Sequence, residues 1–225
     1  KRVFGVHSKM DETLQRLTEN RNIILVGNSV EMLEYEYGEY IEKFDTIVRF
    51  GNGIPDEHTE SLGTRTDIWI TGWLRAVKVK YFPTAYKLFN RCRIHLDVQP
   101  KELTPPFEHE TMFDDDELKK IYKMVGAKNN VKMGNRPSAG FLGILFFLTK
   151  TNPKSITLIG FDFFSKKLPF KSGNDYPSSW HLPHNSQESS PHNNKEKPLV
   201  QEWANEGKLE WKILSDLNEE FLDFT

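Results

Sequence analysis

The sequence predicts an α/β fold, in which a mostly parallel sheet is flanked by helices within a single domain of residues 1–225. Short aliphatic runs alternate with helix-like segments, and most of these runs end in a polar turn. This alternation is typical of parallel strands joined by crossover helices. A chain of 225 residues is also long enough to bury one substantial core.

The first third of the chain contains three predicted strands. MDETLQRLTEN is amphipathic and predicts a helix beside the core, and NIILVGNS predicts a buried strand followed by a turn. VEMLEYEYGEYIEKF has helical spacing of its apolar residues, and DTIVRFGN predicts the second strand. TDIWITG predicts the third strand, which again ends at small residues.

The middle of the chain continues the alternation. RCRIHLDV predicts a further strand, and DDDELKKIYKMVGAK predicts a helix whose acidic start and basic end suit the helix dipole. RPSAGFLGILFFLTKTNP predicts a turn that leads into a buried helix, and SITLIGFDFF predicts another core strand.

The last third begins with a segment of different composition. Residues 165–195 are polar and rich in Pro, Ser, Asn and His, which indicates either a disordered insert or a lid over a site. KPLVQEWANEG then predicts a helix with Pro198 in its first turn, and KLEWKIL predicts a final strand.

The composition excludes some classes of protein. The formal net charge of −2 gives no electrostatic reason to expect nucleic acid as a partner. No run of about 18 apolar residues is present, so no segment is expected to span a bilayer by itself. Cys92 is the only cysteine, which rules out an intrachain disulfide and favours a reducing, cytoplasmic location.

Four of the predicted strands end in a polar turn at their carboxyl end. These turns are Gly27–Ser29, Gly51–Asn52, Thr71–Gly72 and Gly160–Asp162. In an open parallel sheet, ligands bind outside the carboxyl ends of the strands. We therefore expect these turns to form one site.

The turn VGNS matches neither G-x-G-x-x-G nor the phosphate loop that ends in Gly-Lys-Ser/Thr. Gly27 permits close backbone approach, and Asn28 offers both a hydrogen-bond donor and an acceptor to a sugar or phosphate oxygen. The alternative is a simple strand-to-helix turn with Ser29 as the N-cap. Both interpretations stay open from the turn alone.

Ser138, Ala139 and Gly140 are small residues just before an apolar helix. They can present backbone N–H groups and the positive end of the helix to an anion, or simply allow tight packing against the sheet. Asp162 can bond to a sugar hydroxyl or cap its turn, and Arg65 is expected to pair with Asp67 rather than with a phosphate.

Three of the seven histidines lie in the polar segment: His181, His184 and His192. A histidine near its usual pKa can take a proton from a hydroxyl nucleophile at neutral pH. HNSQE and HNNKE both contain His-x-x-x-Glu, so Glu188 or Glu196 can orient a histidine. Solvated loop histidines are one alternative, and a zinc site is a weaker one because no tight ligand pattern is present.

Three motifs resemble those of sialyltransferases. NIILVGNSVEMLEYEYGEYIEKFDTIVRFGN resembles the large sialylmotif, which SLGTRTDIW continues, and RPSAGFLGILFFLTKTNPKSITLIGFDFF resembles the small sialylmotif. HNNKE resembles the very small motif, and the three occur in the family's order between about residues 22 and 215. The residues that match the large motif are Gly27, Asn28, Ser29, Tyr37, Gly38, Ile41, Asp45, Arg49, Asn52, Gly63, Arg65 and Thr66.

The resemblance implies a Rossmann-like, GT-A-like glycosyltransferase that moves sialic acid, or a related 2-keto sugar acid, from a CMP-sugar to a glycan hydroxyl. It implies inversion at the anomeric carbon without a cofactor or catalytic metal. His192 is implied as the base, because His184 lies too far upstream of the last helix. The implied donor-binding residues are Gly27, Asn28, Ser29, Asn52, Thr71, Gly72, Ser138, Ala139, Gly140, Gly160, Phe161 and Asp162.

The chain also departs from the family. Animal members join the large and small motifs by a disulfide. In this chain Ile23 stands near the position of the first cysteine, and residues 152–154, near the position of the second, include no cysteine. The chain is in this respect similar to bacterial relatives, but Phe164 replaces their phosphate-contacting tyrosine. Stabilisation of the leaving group is then expected from one of three residues of the polar segment: Tyr176, His181 or His184.

Other functions stay open. A Kdo transferase that uses CMP-Kdo in lipopolysaccharide core synthesis keeps the same chemistry, and a non-catalytic nucleotide-binding module would keep only the pocket. A nicotinamide-dependent oxidoreductase suits the sheet but lacks the glycine pattern. The expected partners are a CMP-activated sugar acid and a glycan or lipopolysaccharide acceptor, with peripheral contact at the inner face of a membrane if the acceptor is lipid-linked.

Overall fold

The computed structural model describes residues 12–50, 58–71, 85–89, 110–126, 137–163, 195–214 and 216–217. The strands in these ranges are β1 (Asn22–Val26), β2 (Thr46–Phe50), β3 (Ile68–Thr71), β4 (Tyr86–Phe89), β5 (Glu110–Thr111), β6 (Ser155–Ile159) and β7 (Glu210–Trp211). The helices are α1 (Glu12–Thr18), α2 (Gly38–Glu42), α3 (Thr59–Leu62), α4 (Asp115–Met124), α5 (Ala139–Lys150) and α6 (Glu196–Asn205), with a 3-10 helix at Val30–Leu33.

The described strands form one parallel sheet in the order β5-β4-β3-β2-β1-β6-β7. β2 to β5 lie in chain order on one side of β1, and β6 and β7 lie on its other side. Val26, the last residue of β1, lies opposite Arg49 of β2 and Ile159 of β6. The predicted α/β fold with a parallel sheet is therefore confirmed, and its topological switch point lies between β1 and β6.

Both faces of the central strands are covered, as their continuous aliphatic runs predict. Ile23 and Leu25 of β1 point into a core that also contains residues of α4, α5 and α6. Ile24 and Val26 point into a second core, on the opposite face, with residues of α2 and α3. The two cores hold the sheet in place and leave the strand ends free to carry the site.

α5 is the most buried helix of the described part, with every residue from Phe141 to Phe147 buried. A helix that is apolar on all sides belongs in a core. The C-terminal end of α5 is held by an ion pair between Lys150 and Glu117. Glu117 is also part of the capping box at the start of α4. No helix in the described ranges has both the length and the hydropathy needed to cross a membrane.

The helix expected over VEMLEYEYGEYIEKF is divided into the 3-10 helix and α2. On one continuous helix, Met32 and Tyr37 would lie about 140° apart, because each residue turns the chain by roughly 100°. The break allows both side chains to be buried in the same core. Tertiary packing has here overridden the local helical spacing.

Other differences concern the edges of the sheet. β4 and β5 were not predicted from the sequence, and the strand predicted over KLEWKIL is reduced to β7. β5 and β7 are edge strands and β4 lies next to one, and such short strands depend on hydrogen bonds to their neighbours rather than on their own residue pattern. The strand predicted over RCRIHLDV lies outside the described residues.

Candidate functional site

The turns after β1 and β6 lie against each other at the carboxyl edge of the sheet. The N–H of Gly27 donates to the carbonyl of Ile159 at 2.8 Å, and the N–H of Ser29 donates to Gly160 at 3.1 Å. A Cβ atom on Gly27 would lie 2.2 Å from the carbonyl oxygen of Gly160. The close backbone approach that Gly27 permits is therefore to the neighbouring turn, and its contact with a ligand stays a prediction.

Asn28 connects the β1 turn to the end of β2. Its Nδ2 donates to the carbonyl oxygen of Phe50 at 3.1 Å, whereas its Oδ1 accepts no hydrogen bond from the described residues. The half-buried side chain thus retains an acceptor at the carboxyl edge. Ser29 occupies the N-cap position of the following 3-10 helix, but its side chain makes no capping bond.

Phe161 fills the space between the β1 turn and the start of α5. Cβ atoms on Gly27 and Gly140 would lie 3.1 Å and 2.9 Å from its ring. The ring also meets Phe50 edge to face, with centroids 5.7 Å apart. Both glycines therefore leave space for this aromatic side chain, which the sequence placed among the donor-binding residues.

The chain turns sharply after Phe161. Phe163 has a φ of 51°, a left-handed conformation that is uncommon for a bulky residue and that occurs preferentially at functional sites. Its ring packs edge to face on Trp211, with centroids 5.1 Å apart. This contact joins the turn after β6 to β7.

The start of α5 offers unused backbone donors. Ser138 is the N-cap, and its Oγ accepts the N–H of Phe141 at 3.0 Å. The N–H groups of Ala139 and Gly140 have no hydrogen-bond partner among the described residues, as expected for the first turn of a helix. Two free N–H groups at the positive end of a buried helix can bind an anion.

Glu196, the first residue of α6, binds directly to the same N-cap. Its Oε1 accepts the N–H of Ser138 and its Oε2 accepts the Ser138 Oγ–H, both at 2.7 Å. The residue is only 1% exposed. Burial raises the pKa of the Glu196 carboxyl to about 7, although the two hydrogen bonds from Ser138 act in the opposite direction.

The sequence did not identify this pairing. It gave Glu196 as a partner for His192, on the basis that both would share a helix face. α6 begins at Glu196 with Lys195 as its N-cap. His192 lies outside the described residues, so its pairing with Glu196 stays a prediction. The sequence showed Glu196 near the start of one predicted helix and Ser138 before another. No local pattern indicated that these two residues, 58 positions apart, would be in contact.

Arg65 and Arg49, two residues of the large motif, bind other parts of the protein. The predicted pairing of Arg65 with Asp67 is confirmed, with Nε and Oδ2 3.1 Å apart. Arg49 is 2% exposed and donates to the carbonyls of Leu62 and Arg65 and to the hydroxyl of Thr66. Burial lowers the pKa of Arg49 to about 10, so it is charged at neutral pH and holds the α3–β3 connection.

Several predicted site residues lie outside the described residues: Asn52, Gly72, Phe164, Tyr176, His181, His184 and His192. The predicted lid, residues 165–195, is described only at Lys195. Thr71 ends β3 at the same edge of the sheet, and Asp162 follows β6 there. Within the described ranges, no three His, Cys, Asp or Glu residues form a group that could hold a metal ion.

The fold is that of an α/β protein with a parallel sheet, in which the turns after β1 and β6 meet at the topological switch point. No family model and no curated protein matches the sequence. Among solved structures, a mammalian sialyltransferase in complex with Gal-beta-1-3GalNAc-ortho-nitrophenol matches with a TM-score of 0.56 and 16% identity, over 91% of this chain and 74% of that chain. A second crystal structure of a mammalian sialyltransferase matches with a TM-score of 0.54 and 17% identity, over 91% and 73% of the two chains. The protein therefore has the fold of sialyltransferases.

Proposed function

We propose that this protein is a glycosyltransferase that moves sialic acid, or a related 2-keto sugar acid, from a CMP-sugar to a hydroxyl group of a glycan. The contact between Ser138 and Glu196 is the main support, because it joins the predicted small and very small motifs at the carboxyl edge. The shared fold with two mammalian sialyltransferase structures supports the same class of reaction.

The donor would bind between the β1 turn and the start of α5. The free N–H groups of Ala139 and Gly140 suit the phosphate of CMP, because backbone donors and the helix dipole both favour an anion there. The Oδ1 of Asn28 can accept a hydrogen bond from a hydroxyl or amino group of the donor. Two adjacent N–H groups suit a single phosphate, so this arrangement would need no glycine-rich pyrophosphate loop.

The chemistry would use His192 as the general base. The histidine removes the proton of the acceptor hydroxyl, the oxygen attacks the anomeric carbon, and the bond from that carbon to the phosphate oxygen breaks with inversion. His192 is four residues before Glu196, which limits its distance from the start of α6 to about 15 Å even in an extended chain. Positioning and stabilisation of the leaving phosphate would supply most of the rate, without a metal.

Release of CMP tests this proposal. The protein is mixed with CMP-sialic acid or CMP-Kdo, each with and without a glycan or lipopolysaccharide acceptor, in the presence of EDTA. We expect release with one donor, which would also decide between sialic acid and Kdo. Because a metal-independent enzyme is proposed, full loss of activity in EDTA would contradict that part of it.

Two histidine variants form a matched pair, since each histidine begins a His-x-x-x-Glu sequence. His192→Ala should lower turnover by about 100-fold or more, as expected for the loss of a general base. His184→Ala should retain turnover within a few-fold if this histidine contributes only to acceptor binding, and should lower turnover about 100-fold if it stabilises the leaving phosphate. Equal turnover by His192→Ala and the unmodified protein, with both folded, would refute the assignment of the base.

A further inference from the structure

Building on the proposed function, we infer that Glu196 is a positioning residue that takes up one proton from solvent when a nucleoside monophosphate binds at the start of α5. The carboxyl group lies at the N-cap of this helix, where Ser138 donates to both of its oxygens. The N–H groups proposed to hold the phosphate belong to the next two residues, Ala139 and Gly140. One helix end would therefore carry two anions.

The distance between the two anions is short. Consecutive Cα atoms are about 3.8 Å apart, so a phosphate on the N–H groups of Ala139 and Gly140 lies within roughly 8 Å of a carboxylate on Ser138. This is no more than the screening length at physiological ionic strength, and buried charges are screened less than exposed ones. The Glu196 carboxylate is buried, so bound phosphate would repel it strongly.

The described surroundings of Glu196 offer no cation to relieve this repulsion. The groups that act on its carboxyl are the N–H and hydroxyl of Ser138, from α5. On its own helix, Lys195 and Lys197 are exposed, and the ammonium of Lys195 extends towards Gly126, at the end of α4. Among the described residues, protonation of the carboxyl is the remaining local means of removing one of the two negative charges.

Protonation is also compatible with the observed contacts. Burial already places the pKa of Glu196 at about 7, so a proton is gained near neutral pH. A neutral carboxyl can still accept the N–H of Ser138 on its carbonyl oxygen, while its hydroxyl shares a hydrogen bond with Ser138 Oγ. The N-cap would therefore be retained, and α5 and α6 would stay joined when the ligand binds.

Isothermal titration calorimetry with CMP tests the inference. Binding is measured at pH 7 to 9 in buffers of different ionisation enthalpy, where the phosphate, whose second pKa is about 6, is already a dianion. We expect net proton uptake near pH 8 and an affinity that falls with pH by at most about tenfold per unit. Cytidine, which lacks the phosphate, should bind without this uptake.

Three variants identify the group that takes up the proton. Glu196→Gln imitates the neutral carboxyl and should bind CMP without this uptake and with little dependence on pH. Glu117→Gln changes the other buried glutamate of the described part and should leave the uptake in place. Ser138→Ala removes one donor to the carboxylate and should move the pH range of the uptake upward.

The outcomes separate the inference from the proposed function. CMP binding without proton uptake, or equal uptake in Glu196→Gln, would overturn the inference and leave the proposed function in place. Absence of CMP binding would overturn both. If Glu196→Gln does not fold, an unchanged pH range in Ser138→Ala would overturn the inference, and an upward shift would support it.

Discussion

A Cβ atom on Gly27 would lie 2.2 Å from the carbonyl oxygen of Gly160, so the turns after β1 and β6 can approach only because residue 27 has no side chain. The obstacle is backbone and cannot move away by a change of rotamer. The same contact brings the predicted large and small motifs together. Gly27 thus contributes to the site through the packing of the protein itself.

Gly27→Ala should lower the free energy of unfolding by about 3 kcal/mol, the upper part of the range for overpacking. Urea unfolding monitored by tryptophan fluorescence would measure it. Gly207→Ala is the control, because Gly207 has a φ of 70° but nothing within 4 Å of the added methyl group. That variant should lose only about 1 to 2 kcal/mol from its left-handed backbone. A smaller loss in Gly27→Ala than in Gly207→Ala would contradict the packing argument.

Two glycines of α5 should respond differently to alanine. In Gly140→Ala the new methyl group meets the half-buried ring of Phe161 at 2.9 Å, and the higher helix propensity of alanine offsets part of this strain. We expect near-normal stability but weaker CMP binding, because the displaced ring borders the free N–H groups. Titration calorimetry would measure the CMP affinity and urea unfolding the stability. A loss of affinity without a loss of stability is the expected result.

Gly143→Ala is the matched variant one turn further along α5. Its methyl group would lie 2.5 Å from the ring of buried Phe50, which has no open side to move into. We expect a net loss of about 1 to 3 kcal/mol in the free energy of unfolding. Similar stabilities of the two variants would show that the ring of Phe161 is no freer than that of Phe50.

Arg49→Lys tests whether the guanidinium holds the α3–β3 connection. Lysine cannot place donors at both Nε, which serves Arg65 and Thr66, and Nη2, which serves Leu62, so at least one of these acceptors loses its donor. We expect a loss of about 2 to 3 kcal/mol in the free energy of unfolding, measured by urea denaturation. Lys119→Ala, which breaks an exposed ion pair with Asp116, should cause no measurable change.

Stability should fall as the pH rises through the titration of Glu196. The carboxyl has a pKa of about 7 when folded and 4.5 as its ordinary value, so the folded state binds the extra proton between these values. This contribution is complete below pH 4.5 and is lost as the pH passes 7, with a total of up to roughly 3 kcal/mol. Urea unfolding at pH 5 to 9 should show this decline against Glu196→Gln. Parallel curves for the two proteins would contradict it.

The central parallel strands, α4 and α5 could be predicted because their residue patterns are strong. β1, β3 and β6 are mostly apolar runs, β2 is interrupted only by Arg49, and the acidic start of α4 forms the observed cap at Asp114. The break between Met32 and Tyr37 could not be predicted in this way, because it depends on a core formed by distant segments. The pairing of Ser138 with Glu196 depends in the same way on where α5 and α6 lie, and neither local sequence specifies it.

The position of β1 at the centre of the sheet has a consequence for how the chain folds. β1 pairs with β2 after a short connection, but its pairing with β6 joins Asn22 to Ser155 across 133 positions. During synthesis, β1, β2 and β3 can therefore assemble while one edge of β1 still lacks its partner. An unpaired apolar edge invites association between chains, and distant pairing slows folding. Chains should thus associate mainly before β6 pairs with β1, and the refolding yield should fall as the protein concentration rises.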